Sequence, residues 1–465
     1  MTDAAISQLL AALGPDKVGL DETSRSARRH DYWIVSHLRD HQERAAPLPA
    51  CVVRPANVAD VQTVVRIASA TKTPLIPFGL GSGVVGGVIT SPDCILLDMG
   101  AMTGTRFIDP DNLLASFEAG KNGLEAEQDL AKLGLTAGHW PQSIAVSTVG
   151  GWVATRASGQ FSTAYGNMED IVYAIEAVLP DGSLVTLGKG PRASAGPDLR
   201  HLMLGSEGTL GVITSVTLSL RRAAEKRAVS AFAATDMRSG FTYQRELVQR
   251  GWRPPVMRQY DERETGRLSE AAKDCTLIMV HEGPAELVDV EKAAAARLAA
   301  EHGLTPLPDS IVEHWLDHRN HVLGWDQILG RQMVADTVEI SAPWDKIAGI
   351  YDKAVEGLKT IPGCLAGSAH SSHVYRSGLN LYFTFAIKPE DPANMEAAYF
   401  EAWRHVMQAT ANGGGSLAHH HGIGRVRRGD MVAELGETGV ALLRKVKTAL
   451  DPVGIMNPGV LIPDA

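Results

Sequence analysis

Pro77-Phe78-Gly79-Leu80-Gly81-Ser82-Gly83-Val84-Val85-Gly86-Gly87 carries five glycines within nine residues. It follows Pro74-Leu75-Ile76-Pro77, an apolar run that reads as a short buried strand. With so few side chains, successive backbone N–H groups can converge on an anion, usually a pyrophosphate. Glycine also permits the positive φ angles such a turn needs. A P-loop needs Lys-Ser or Lys-Thr after its last glycine, and Val88-Ile89 stands there instead. A Rossmann fingerprint needs a helix to open within the glycines, and Val88-Ile89-Thr90-Ser91-Pro92 does not open one. The stretch therefore reads as a phosphate cradle on another frame; a glycine-rich surface turn has the same composition.

Around this stretch lie 465 residues, enough for two or three domains. A hydrophobic fraction of 45% and a charged fraction of 21% suit a globular protein with an ample core. The net charge of −9, without a long basic block, argues against a nucleic-acid or anionic-membrane partner. Cys51, Cys94, Cys275 and Cys364 are widely spaced, which predicts reduced thiols and no zinc site. Neither a basic-then-apolar leader nor an apolar run of membrane-spanning length is visible, so a cytoplasmic location is expected.

Residues 4–12 read as a short amphipathic helix ended by Gly14-Pro15. Ala50 to Pro55 reads as a strand, and Val58, Val61, Val64, Val65, Ile67 and Ala68 recur at helical spacing behind a capping Asn57. Strands are expected at Cys94–Asp98 and Leu113–Phe117, and a helix at 123–133. This alternation predicts an α/β or α+β domain. A second informative stretch is Pro141-Gln142-Ser143-Ile144-Ala145-Val146-Ser147-Thr148-Val149-Gly150-Gly151-Trp152-Val153-Ala154-Thr155-Arg156-Ala157-Ser158-Gly159. Its small and hydroxyl residues suit backbone lying flat on a planar ligand, and equally suit a helix packed closely on a sheet. Asp181-Gly182 then marks a hairpin after the strand 171–179. The third stretch, Gly205-Ser206-Glu207-Gly208-Thr209-Leu210-Gly211-Val212-Ile213-Thr214, runs into a period-two strand ending near Leu220. The charged Arg221 to Arg227 is a candidate domain boundary.

In this order and spacing the three stretches resemble the FAD-binding domain of the vanillyl-alcohol-oxidase superfamily, with Ser-Glu-Gly-Thr-Leu-Gly as the specific signature. The resemblance implies an α+β, two-subdomain FAD-binding domain in which Pro77 to Gly83 cradle the pyrophosphate. It also implies that Gln142–Thr148, Thr155–Ser158 and Glu207–Ile213 line the rest of the cofactor. The expected divisions are a helical segment 1–46, the FAD-binding domain 47–223, an α/β cap 224–424 and a closing segment 425–465. FAD is expected to be non-covalent, since the glycine loop offers no histidine or cysteine.

In the cap, Leu379 to Ile387 alternates cleanly, with Leu381, Phe383, Phe385 and Ile387 on one face and Asn380, Tyr382 and Thr384 on the other. Tyr382 thus points away from the apolar face, as an active-site tyrosine does; a buried tyrosine with a satisfied hydroxyl is the alternative. Gly413 to Gly424 contains His419-His420-His421. In an extended segment His419 and His421 face one side and His420 the other. With no acidic residue nearby in sequence, proton transfer or oxyanion stabilisation is favoured over metal binding, and no metal is expected. The triple histidine, with Ser341-Ala342-Pro343-Trp344, is similar to the alkyldihydroxyacetonephosphate synthase family. That resemblance implies catalytic roles for Tyr382, His419 to His421 and Arg258. Relatives that oxidise 2-hydroxy acids have a glutamate where His420 stands, and a metal motif that Arg376 to Tyr382 lacks. An ungapped alignment on Ser341 to Trp344 puts Trp325 where the synthases have a substrate-phosphate arginine, with Arg319 and Arg331 flanking it.

The expected activity is FAD-dependent oxidation of a small alcohol or 2-hydroxy acid, with Tyr382 or a histidine taking the hydroxyl proton and Arg258 stabilising charge. The alternative is a synthase-like exchange of acyl for alkyl through a flavin adduct, without net redox. The electron acceptor (oxygen, a quinone or a protein) and the substrate are left open, and the resemblance admits a homodimer.

Overall fold

The computed structural model describes residues 2–321 and 324–463. Two apolar cores organise them. The first begins with the helix Val58–Thr71, whose Asn57 side chain accepts the Asp60 N–H and caps the first turn. Val61, Val64, Val65 and Ala68 fall on one helical stripe and are buried there. Strands Cys51–Val53 and Leu75–Phe78 both pair in parallel with Ile95–Asp98, in a four-stranded sheet closed by Val18–Gly19. The glycine loop leaves the carboxyl end of Leu75–Phe78, the end at which parallel sheets present their ligands. Beside it lies a five-stranded antiparallel sheet, ordered Thr105–Asp109, Leu114–Glu118, Val212–Ser219, Val172–Val178, Leu184–Leu187. Its last two strands form the hairpin across Asp181-Gly182, where Gly182 takes φ +83°.

The second core underlies a seven-stranded antiparallel sheet. Its order is Thr305–Leu307, Lys226–Ala234, Cys275–Gly283, Val256–Tyr260, Cys364–Val374, Gly378–Ile387, Val334–Pro343. Leu381, Phe383, Phe385 and Ile387 point into this core beside residues of the helices Ile347–Thr360 and Met395–Gly413. On the opposite face, register places Glu339 across from Tyr382, Tyr382 across from His370, and His370 across from Tyr260. Directly opposed residues share a face, so these four side chains form one row over four adjacent strands.

The chain ends stitch the cores together. Ala5 and Leu9 enter the first core, whereas Trp33, Ile34, Val35 and Leu38 enter the second. The Trp33 indole donates to the Tyr399 hydroxyl at 2.8 Å. At the other end Met456 bridges Leu75 in parallel, and the Asn457 amide donates to the carbonyls of Gly87 and Glu207 at 3.0 and 2.7 Å. No helix among the described residues is long and apolar enough to cross a membrane.

Candidate active site

The glycine loop is built for close approach. A Cβ at Gly79 would lie 2.6 Å from the Thr148 hydroxyl, and Gly81 and Gly86 have φ of +70° and +71°. Among the described residues no backbone acceptor takes the N–H groups of Leu80, Gly81, Ser82 or Gly83. A row of free donors on a concave, side-chain-poor turn is what a pyrophosphate requires, so these residues fit FAD. In the second stretch the closely packed helix is present. Val149–Thr155 is a helix capped by Thr148 and packed closely on Ala119 through Gly150. Ahead of it, Gln142, Ala145 and Val146 stand exposed. Ser147 accepts the Trp152 indole N–H at 2.8 Å, Arg156 turns the chain at φ +53°, and Ser158 bonds Asn167.

Glu207 behaves differently from its neighbours in the third stretch. Its carboxylate accepts the N–H groups of Ile423 and Gly424 at 2.6 and 2.8 Å, tying the end of the histidine turn to the third stretch. Asp31 is buried with it behind the glycine loop, accepting from Trp33 and Val88. Burial pushes both carboxyls up to about 7, against the pull of these N–H bonds.

On the cap side, the Tyr382 hydroxyl lies 2.7 Å from His420 Nε2 and 3.4 Å from His373 Nε2. Its ring stacks on His370 at 4.8 Å between centroids, and His370 Nδ1 bonds Glu264 at 2.6 Å. Ser162, from the FAD-binding domain, meets His373 Nδ1 at 2.6 Å. The histidines do not alternate as an extended segment would. The chain turns around Glu339, whose carboxylate accepts the N–H groups of His419, His420 and His421 at 2.6, 3.4 and 2.7 Å. The turn brings His419 and His420 together, Nδ1 to Nδ1, at 2.8 Å. His419 Nε2 lies 2.6 Å from the Tyr375 hydroxyl.

The acidic partner missing from the local sequence is thus Glu339, supplied by the strand Val334–Pro343. It pairs at 3.1 Å with Arg427, both side chains being wholly inaccessible. Burial opposes its charge, but Arg427 prevails and holds the carboxyl below its ordinary value. Burial lowers His419 and His421 to about 4 and depresses His373 and His420, so the imidazoles are neutral at pH 7; it raises Tyr382, which is a phenol. His373, His419 and His420 bring nitrogens within 4.8 Å of one another, a spacing a metal ion could use. All six of their nitrogens instead bond serine, tyrosine or each other.

Arg258 lies over Tyr260 and Trp315, its guanidinium carbon 5.5 and 5.4 Å from the ring centroids, and its Nε has no hydrogen-bond partner among the described residues. On Trp315 it is joined by Arg319, whose carbon is 6.0 Å from the same ring and whose Nε donates to Gln160 at 2.9 Å. Trp325 stands elsewhere, stacked on Tyr32 and donating to its carbonyl at 2.9 Å. Sequence reading passed over Glu339, Glu264, His370, His373, Tyr375 and Ser162. An acid on the polar parity of a strand flags Glu339. His373 carried no comparable signal: a register shift between Ser371 and Val374 turns it toward Tyr382.

Residues 49–188 match the FAD binding domain model and residues 223–461 the model of FAD linked oxidases, C-terminal domain. The FAD-linked oxidoreductase YgcU of Escherichia coli strain K12 is 33% identical, covering 99% of this chain and 98% of its own. The alkyldihydroxyacetonephosphate synthase of Caenorhabditis elegans is 28% identical over 94% of this chain and 80% of its own. The D-lactate dehydrogenase of Archaeoglobus fulgidus is 28% identical over 88% and 91%. A solved alkyldihydroxyacetonephosphate synthase superposes with a TM-score of 0.81 at 25% identity, covering 98% of this chain and 85% of that one. This chain belongs to the FAD-linked oxidoreductase family, of the vanillyl-alcohol-oxidase type, and FAD is its cofactor.

Proposed function

We propose that the enzyme oxidises a small hydroxyl compound, a simple alcohol or a 2-hydroxy acid. The observation that carries this reading is the Tyr382 hydroxyl, set between two neutral imidazoles beside a guanidinium whose Nε has no hydrogen-bond partner among the described residues. FAD, when bound, supplies the acceptor for the hydride that leaves the substrate carbon. The glycine loop and residues 142–148, 155–158 and 207–213 are the groups that hold it. Tyr382 takes the substrate hydroxyl proton as its own proton moves toward His420. Arg258, whose charge favours the Tyr382 phenolate, holds the substrate carboxylate or alkoxide. The D-lactate dehydrogenase relative supports a 2-hydroxy acid. The cytoplasm is the proposed location.

A second reading, redox-neutral exchange of acyl for alkyl on a phosphorylated substrate, is favoured by one observation. Arg319 shares Trp315 with Arg258, giving two guanidiniums for a phosphate, and Trp325 lies outside this cluster. Anaerobic titration of the FAD absorbance tests both. Bleaching by an unphosphorylated 2-hydroxy acid or alcohol, reversed by an electron acceptor, is the expected result. Bleaching only by acyl-dihydroxyacetone phosphate, with fatty acid released and no electrons recovered, would establish the exchange reaction instead.

A further inference from the structure

Two imidazoles can share a hydrogen bond through their Nδ1 atoms only when one carries the proton and the other does not. His419 and His420 are held in that relation at 2.8 Å. Their remaining nitrogens reach in opposite directions, His420 Nε2 to the Tyr382 hydroxyl at 2.7 Å and His419 Nε2 to the Tyr375 hydroxyl at 2.6 Å. The result is an unbroken file of proton carriers, Tyr382, His420, His419, Tyr375. At its far end the Tyr375 hydroxyl meets the Asn167 side chain, with Nδ2 at 3.0 Å and Oδ1 at 3.3 Å, and Tyr375 keeps partial exposure to solvent.

We infer that His419 and Tyr375 extend His420 into a directional proton relay that carries the substrate hydroxyl proton from Tyr382 to solvent. The inference rests on the oxidase reading above. Tyr382, donating to His420 Nε2, requires His420 to be protonated on Nδ1. That N–H donates to His419 Nδ1, which leaves His419 protonated on Nε2 and donating to Tyr375. During turnover the substrate C–H leaves as hydride to FAD and the O–H proton passes to Tyr382. The Tyr382 proton moves to His420 Nε2, the His420 Nδ1 proton to His419 Nδ1, and the His419 Nε2 proton to Tyr375 oxygen. Tyr375 releases its own proton to water, so one proton enters, one leaves, and both imidazoles change tautomer without gaining charge. Burial makes this transfer necessary, because a proton parked on His419 faces a value of about 4. His373 completes the donor set of Tyr382. If its Nδ1 accepts from Ser162, its Nε2 carries the proton and donates to the Tyr382 oxygen.

The first test needs no turnover. In the FAD-loaded protein, ¹⁵N spectra of the histidine side chains should show opposite tautomers for His419 and His420. Two Nε2–H tautomers would overturn the relay. The second test is Tyr375→Phe, which keeps the ring. Anaerobic flavin reduction by a hydroxyl substrate should slow by roughly 10- to 100-fold. The proton inventory in mixed H₂O and D₂O should change from curved to linear, and added imidazole should restore part of the rate. An unaltered rate and inventory would overturn the relay. If no hydroxyl compound bleaches the flavin, the substrate reading falls, and the spectra alone decide the relay.

Discussion

At the scale of single residues, Tyr382 is made reactive by position, since burial keeps it a phenol and the imidazoles of His373 and His420 beside it are neutral. Tyr382→Phe should bind FAD normally yet reduce it at least about 100-fold more slowly, read by anaerobic stopped-flow absorbance. Arg258→Leu removes a guanidinium from an apolar wall of Tyr260 and Trp315. It should weaken an anionic substrate roughly 10- to 100-fold, the worth of a hydrogen bond between charged groups, measured as a Kd from flavin perturbation. Tyr382 was legible because strand alternation alone decides which way it faces. The turn at His419 to His421 was misjudged because its anchor, Glu339, lies 80 positions earlier, beyond any local pattern. Trp325, which the ungapped count from Ser341 puts at the phosphate position with Arg319 and Arg331 flanking it, stacks on Tyr32, while Arg319 lies over Trp315.

At the scale of elements, two buried carboxylates hold the histidine turn from opposite sides. Glu339→Gln would leave Arg427 buried without its counter-ion, which costs about 3–5 kcal/mol on the scale of broken buried pairs; urea unfolding of the FAD-loaded protein measures it. Glu207 works in the other direction, because burial raises its carboxyl from 4.5 to about 7. The folded state therefore favours the protonated form. Stability from this group is fully present below 4.5 and is lost as the pH rises through about 7. Glu207→Gln, which cannot ionise, should flatten that part of the profile. The thermal midpoint of the wild type should fall relative to the variant across that interval. A constant difference would show that Glu207 is ionised throughout. The helix Val58–Thr71 and the strands Ile95–Asp98, Val212–Ser219 and Gly378–Ile387 were readable from the sequence pattern. The bulge that turns His373 was not, since nothing in Ser371 to Val374 marks a lost register.

At the scale of the whole molecule, the two apolar cores are joined by more than the candidate site. Trp33 lies early in the chain but is buried in the cap core, bonded to Tyr399. Trp33→Ala should cost about 3–5 kcal/mol and separate the unfolding of the cap from that of its neighbour, seen as two calorimetric transitions in place of one. The three cofactor stretches were recognisable because each is short and fixed by local backbone demands. This stitch was not, since its two halves stand 366 positions apart. The segment around Met456 and Asn457 has the same character. Met456 completes the edge of the Leu75 strand, and Asn457 holds Gly87 of the glycine loop and Glu207 together. The phosphate cradle is therefore finished by a residue 370 positions further along the chain, so Asn457→Ala should loosen it from a distance and yield a protein that purifies with less FAD.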